Sequence, residues 1–112
     1  MGNYLLLNGA LQKAVDDYIP DDRHSKKLAN FFYNFADQTR IKILSCLALS
    51  EMCVNDISKA LNMNQTTISH QLAILKNNGT IESRREGKII IYFLAHNIVN
   101  ECMLQAVNFI TE

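Results

Sequence analysis

The chain has 112 residues, 48% hydrophobic and 20% charged, with a formal net charge of zero. That size fits one domain with a modest core that would gain from a partner, and one proline with four glycines argues against low-complexity tails. Neutrality removes bulk positive charge as a sign of nucleic-acid binding. The absence of a bilayer-length apolar run or a basic leader before Tyr4–Leu7 predicts a cytoplasmic protein with no membrane partner.

Tyr4, Leu7, Leu11, Ala14 and Tyr18 recur at alternating three- and four-residue steps. They predict a first helix from about Tyr4 to Ile19 with an a/d-type seam, ended by Pro20 and Asp21-Asp22. The seam can pack on the chain's own core or pair two chains. Leu28, Phe31, Phe32 and Phe35 make the core stripe of a second helix. Asp37 then restarts the chain as an N-cap, and Ile41, Leu44, Leu47 and Ala48 line a third helix. A short fourth helix, about Val54 to Leu61, turns Ile57 and Leu61 inward, and Asn62-Met63-Asn64 is a tight turn into a fifth. A short helix, a tight turn and a capped second helix make the helix-turn-helix pattern.

The fifth helix, within Asn64 to Gly79, has Asn64 as N-cap, Met63 and Ile68 as a hydrophobic staple, and Gly79 as a left-handed C-terminal cap. Ile68, Leu72 and Leu75 fall on one face. Gln65, Thr66, Ser69, His70 and Ala73 point the other way, with Lys76 further along. Such short donors and acceptors suit base edges in a major groove. A polar surface helix is the plain alternative, and the neighbouring segments decide. Thr80 to Arg85 and Lys88 to Leu94 read as strands around a Glu86-Gly87 tip, which places a hairpin directly after the polar helix. Arg84, Arg85 and Lys88 cluster at its end, where a wing could straddle a phosphate backbone. They belong to a basic middle, with Lys26, Lys27, Arg40 and Lys42, between acidic ends.

The last helix, about Asn97 to Thr111, carries one apolar line of Val99, Met103, Ala106 and Ile110 beside another of Ile98, Cys102 and Phe109. With the first helix this is more apolar surface than one small core covers, which predicts a symmetric homodimer. The expected fold is mainly α with a small β-hairpin (α+β), in the order α-α-α-α-α-β-β-α. One domain over 1–112 would hold a dimerisation helix (1–20), a helix-turn-helix (54–79), a wing (80–94) and a second dimerisation helix (96–111).

Four segments in order resemble the ArsR/SmtB family of bacterial winged-helix repressors. Ala36 to Leu44 resembles its A-D-x-T-R-x-x-I-L entry, and Glu51 to Ile57 its E-L-C-V-C-D-L segment. Gln65 to Leu72 resembles its Q-S-T-V-S-H-H-L helix, and Ser83 to Lys88 with Tyr92 its R-x-E-G-R…Y wing. The resemblance covers about Leu28 to Leu94 and implies a dimeric repressor of double-stranded operator DNA, released by an inducer that is commonly a metal ion. It makes Gln65, Thr66, Ser69 and His70 base readers and Arg84, Arg85 and Lys88 wing contacts. Lys76 joins them from its place on the helix.

The inducer sites depart from the family pattern. The C-x-C of the fourth helix is here Cys53-Val54-Asn55, one thiolate where soft metals need two or three. The last-helix site reads His96, Ile98, Phe109 and Glu112, two donors where zinc needs about four. Cys53, His96 and Glu112 are therefore metal-site remnants, and a divalent ion such as zinc stays open as a ligand. Cys46, Cys53 and Cys102 form an odd set without paired spacing, expected to be inert thiols or, alternatively, a redox switch. Two further readings are a winged-helix module for protein contact and an ArsR-like regulator without metal response. No phosphate-binding glycine loop, HExxH or paired carboxylates point to an enzyme.

Overall fold

The structure, a computed structural model, describes residues 7–112. Its elements are α1 (Gly9–Tyr18), α2 (Asp22–Tyr33), α3 (Gln38–Leu49), α4 (Val54–Leu61), α5 (Gln65–Asn77), β1 (Ile81–Glu86), β2 (Ile89–Leu94) and α6 (Asn97–Thr111). Side chains that satisfy free amides set the helix starts. Asn8, Asp21, Asp37 and Asn64 each accept from the backbone N–H three residues on. Tyr4, where the first helix was expected to begin, lies outside the described residues. Asn8 starts α1 at Gly9, so Leu7 stands before the helix.

The core is one apolar cluster. Ile43, Leu44 and Leu47 of α3 meet Ile57 of α4, the Ile68–Leu72–Leu75 stripe of α5, Ile81 of β1 and Val99 of α6, none more than 5% exposed. Phe31, Phe35, Met63 and Tyr92 pack around it. Three residues expected inside are not: Leu28, Phe32 and Ile41 are 50%, 53% and 41% exposed. Their helical spacing marks a face that requires cover, and no described part of the chain supplies it. The apolar residues of α1 and much of α6 share that condition. No residue of α1 is buried and no other described element packs against it. The molecule is accordingly 66 Å long and 31 by 24 Å across. Among the described residues, no helix is long and apolar enough to cross a membrane.

The hairpin pairs antiparallel from Ile81–Leu94 out to Glu86–Ile89, which moves the tip one residue on, to Gly87-Lys88. Gly87 has φ 62°, the positive angle that a glycine-led two-residue turn requires. The free edge of β2 is stitched to the α3–α4 loop. Met52 N–H donates to the Tyr92 carbonyl at 3.1 Å, and Tyr92 N–H to the Met52 carbonyl at 2.8 Å. The wing is thereby tied down along its β2 edge.

Candidate nucleic-acid interface

α5 is fixed at both ends. Before it, Asn62 takes the left-handed conformation at φ 53°, Met63 N–H donates to the Ser58 carbonyl at 3.0 Å, and the Ser58 hydroxyl donates to the Met63 carbonyl. Asn64 Oδ1 then accepts from Thr67 N–H at 2.8 Å, while Met63 and Ile68 close the staple. At the far end Gly79, φ 74°, donates to the Lys76 carbonyl at 3.0 Å, and Thr80 to the Leu75 carbonyl at 3.0 Å. This paired arrangement is the Schellman cap.

With its inner stripe buried, α5 leaves Gln65, Thr66, Ser69, His70, Ala73 and Lys76 exposed. Two of these are held. The Gln65 amide donates to Asn55 Oδ1 of α4, and Lys76 Nζ donates to Ser83 Oγ of β1 at 2.7 Å. The helix face and the wing are thus braced against each other.

The wing cations do not sit as one group. Alternation along β1 puts Arg84 and Arg85 on opposite faces. Arg84 is engaged within the protein: Nη2 pairs with Glu51 at 2.6 Å, Nε with Glu86 at 2.9 Å, and its guanidinium lies 5.6 Å from the Phe93 ring centroid. Arg85 Nε donates to the Gly87 carbonyl at 3.2 Å, next to exposed Lys88. The hydrogen bond from Arg84 holds the Glu51 carboxyl below its ordinary 4.5. Bonds to Glu51 and then Glu86 raise the already high Arg84 value. Because Glu51 is depressed in the folded protein, its tie to the wing is present above about pH 4.5 and released as pH falls through the lower folded value. Carbon-13 NMR of the Glu51 carboxyl should titrate below free glutamate, and Arg84→Ala should return it to the free value; an unchanged midpoint would count against this tie.

Among the described residues, neither of the two family metal positions keeps its full donor set. Cys53 precedes α4, its N–H donating to Asp56 Oδ2 at 3.4 Å, with the amide of Asn55 where a second thiolate would be needed. His96 caps α6, its Nδ1 accepting from Ile98 N–H at 3.0 Å, while apolar Ile98 and Phe109 are 43% and 77% exposed. Among the described residues no three His, Cys, Asp or Glu side chains converge. Cys46, Cys53 and Cys102 are free and half-buried, and burial pushes the Cys46 thiol up, away from thiolate. Cys102 borders an apolar groove of about 370 Å³ shared with Phe32, Phe35, Ile41, Val107 and Ile110.

The family model described as "Bacterial regulatory protein, arsR family" matches residues 37–83, from the cap of α3 to β1. A transcriptional repressor SmtB homolog of Synechocystis is 37% identical over 75 residues, covering 67% of this chain and 57% of that protein. The cadmium resistance transcriptional regulatory protein CadC of Listeria innocua is 34% identical over 97 residues, covering 79% of this chain and 82% of that one. Among solved structures, a homodimeric winged helix-turn-helix DNA-binding domain from Mycobacterium bovis, a possible ArsR-family transcriptional regulator, superposes with a TM-score of 0.69. It is 33% identical, covering 81% of this chain and 89% of that one. The fold and its braced helix are those of a winged helix-turn-helix transcription regulator. The chain belongs to the ArsR family of bacterial regulatory proteins.

Proposed function

We propose that the protein is a homodimeric repressor, one domain over 1–112, that binds a near-palindromic operator and is released by an inducer. The observation that carries this reading is the outward face of α5. Gln65, Thr66, Ser69 and His70 are exposed near the N-terminus of a helix fixed at both ends, as direct reading of base edges requires. Lys76, Arg85 and Lys88 supply phosphate contacts around it, and Arg84 sets the wing that carries two of them. The uncovered apolar residues of α1, α2 and α6 support the dimer, as does the homodimeric Mycobacterium bovis domain. Two copies of α5 would then stand about one DNA turn apart, or a multiple of it.

A labelled-operator shift assay over a salt series tests the reading. Binding that weakens steeply with salt is expected; no binding at low salt, or no salt dependence, overturns it. His70→Ala should cost about 1–3 kcal/mol on the operator and little on random DNA, which flattens the preference. Arg85→Ala should weaken both alike. Equal effects of the two variants would sink these assignments.

Of the two inducer chemistries, a thiol-modifying signal is favoured over a metal ion. The Listeria relative is named for cadmium resistance, but here one thiolate stands alone at Cys53 and His96 serves as a helix cap. Cys102 in the apolar groove is the thiol best placed to alter a dimer face. Release of DNA by a mild thiol oxidant, abolished in Cys102→Ser, supports this. Release by zinc or cadmium under reducing conditions would overturn it in favour of a metal.

A further inference from the structure

Arg40 and Asn34 are polar, yet they are 4% and 0% exposed. Arg40 stands in the first turn of α3. Its Nη2 donates to the Tyr33 carbonyl at the end of α2, 2.8 Å away, and its Nη1 to Gln71 Oε1 of α5 at 3.3 Å. The guanidinium sits 4.6 Å from the Tyr33 ring centroid, and its Nε has no partner. No carboxylate pairs with it among the described residues. A buried cation without a counter-ion is an expensive way to fill space, and an aliphatic side chain would occupy the same volume with less desolvation. What the guanidinium adds is a directed attachment to Gln71, the neighbour of His70.

Asn34 makes a second attachment. Its Nδ2 donates to the carbonyls of Asn30 at 3.3 Å and Phe31 at 2.9 Å, and its Oδ1 accepts from Asn78 Nδ2 at 3.1 Å, at the cap of α5. The two attachments lie about two helical turns apart along α5. One contact would leave the helix free to rotate about it. Two fix both its rotation and its lengthwise position against the end of α2.

We propose that Arg40, with Asn34 as the second tie, is a positioning residue for the reading helix: it sets the rotation of α5 on the α2–α3 corner. The aim of Ser69 and His70 then depends on it, and a displacement at the end of α2 reaches DNA through it. This rests on the DNA-reading role proposed above.

The test uses the full-length protein with Arg40→Met, Arg40→Lys, Gln71→Met and the Arg40→Met/Gln71→Met double variant. Arg40→Met and Gln71→Met should each lower the ratio of operator to random-DNA affinity about tenfold, the size of one misaligned base contact. Their thermal midpoints should stay within about 5 °C of the parent. The double variant should fall no further than Arg40→Met alone, because the Arg40–Gln71 bond is already gone in that variant. Arg40→Lys keeps the charge but not the planar fork, and should leave the ratio low. Without DNA, the amide resonances of Ser69 and His70 should shift or broaden in Arg40→Met and Gln71→Met. An unchanged ratio with unchanged resonances overturns the proposal, as do additive losses that track a falling midpoint. Should Arg40→Met not fold, Gln71→Met decides alone. If the parent binds no operator, the functional reading fails, while the DNA-free resonances still decide the role of Arg40.

Discussion

A chain carrying Val107→Asp and Ile110→Asp is expected to run as a monomer at micromolar concentration and to lose about 100-fold or more in operator affinity. Both residues belong to α6 and are 53% and 77% exposed, so neither substitution enters the core of its own chain. In a dimer each would place a carboxylate in an apolar contact, and symmetry repeats the change on the partner. The affinity loss follows because two half-sites read by one dimer behave as a single linked event, and separate monomers forfeit the effective concentration. Light scattering and a shift assay on the same samples check it. A stable dimer that binds the operator normally would remove α6 from the interface.

Leu72→Ala should destabilise the protein by about 2–5 kcal/mol, the usual range for a leucine truncated in a closed core. Leu72 is 1% exposed, lies on the α5 stripe with fully buried Ile68 and Leu75, and belongs to the same core cluster as Ile43 and Leu44 of α3 and Ile57 of α4. Urea unfolding at fixed protein concentration measures it, since association adds to apparent stability. A loss below about 1 kcal/mol would mean that α5 can settle into the cavity, and the rigid inner face argued for it would be wrong. Affinity for operator and random DNA should fall together here, in contrast to His70→Ala, because the whole helix loosens.

Much of the fold was legible in local patterns. Caps at Asp37 and Asn64, the α5 stripe and the change of period after Gly79 place four elements to within a residue or two, because each acts through near neighbours. The polar face of α5 was legible for the same reason. What local patterns left hidden lies mostly in contacts between residues distant in sequence, whereas the start of α1 at Gly9 and the hairpin tip at Gly87-Lys88 are local shifts. Leu28, Phe32 and Ile41 have the spacing of core residues, but periodicity cannot say whether the cover comes from the same chain. Arg40 counts as a surface cation by composition, and only tertiary packing places it under α5. Arg84 looks like a free wing cation until Glu51, on a loop before α4, is brought beside it. Met52 has no neighbours that would mark it as a strand, and its pairing with Tyr92 emerges only once the hairpin has folded back.

The solitary α1 has a consequence for how the protein persists in a cell. Ten residues of helix are marginal in water, and among the described residues no other element packs against α1. With the proposed dimer covering it, its order would follow mass action: formed where copies are plentiful enough to associate, frayed where they are few. The core of α3 to α6 is held by its own buried cluster, whereas in that arrangement the arm between Leu7 and Pro20 would be the natural first cut for a protease when the protein is scarce. Copy number would then set the half-life, with rare chains clipped and abundant ones shielded by one another.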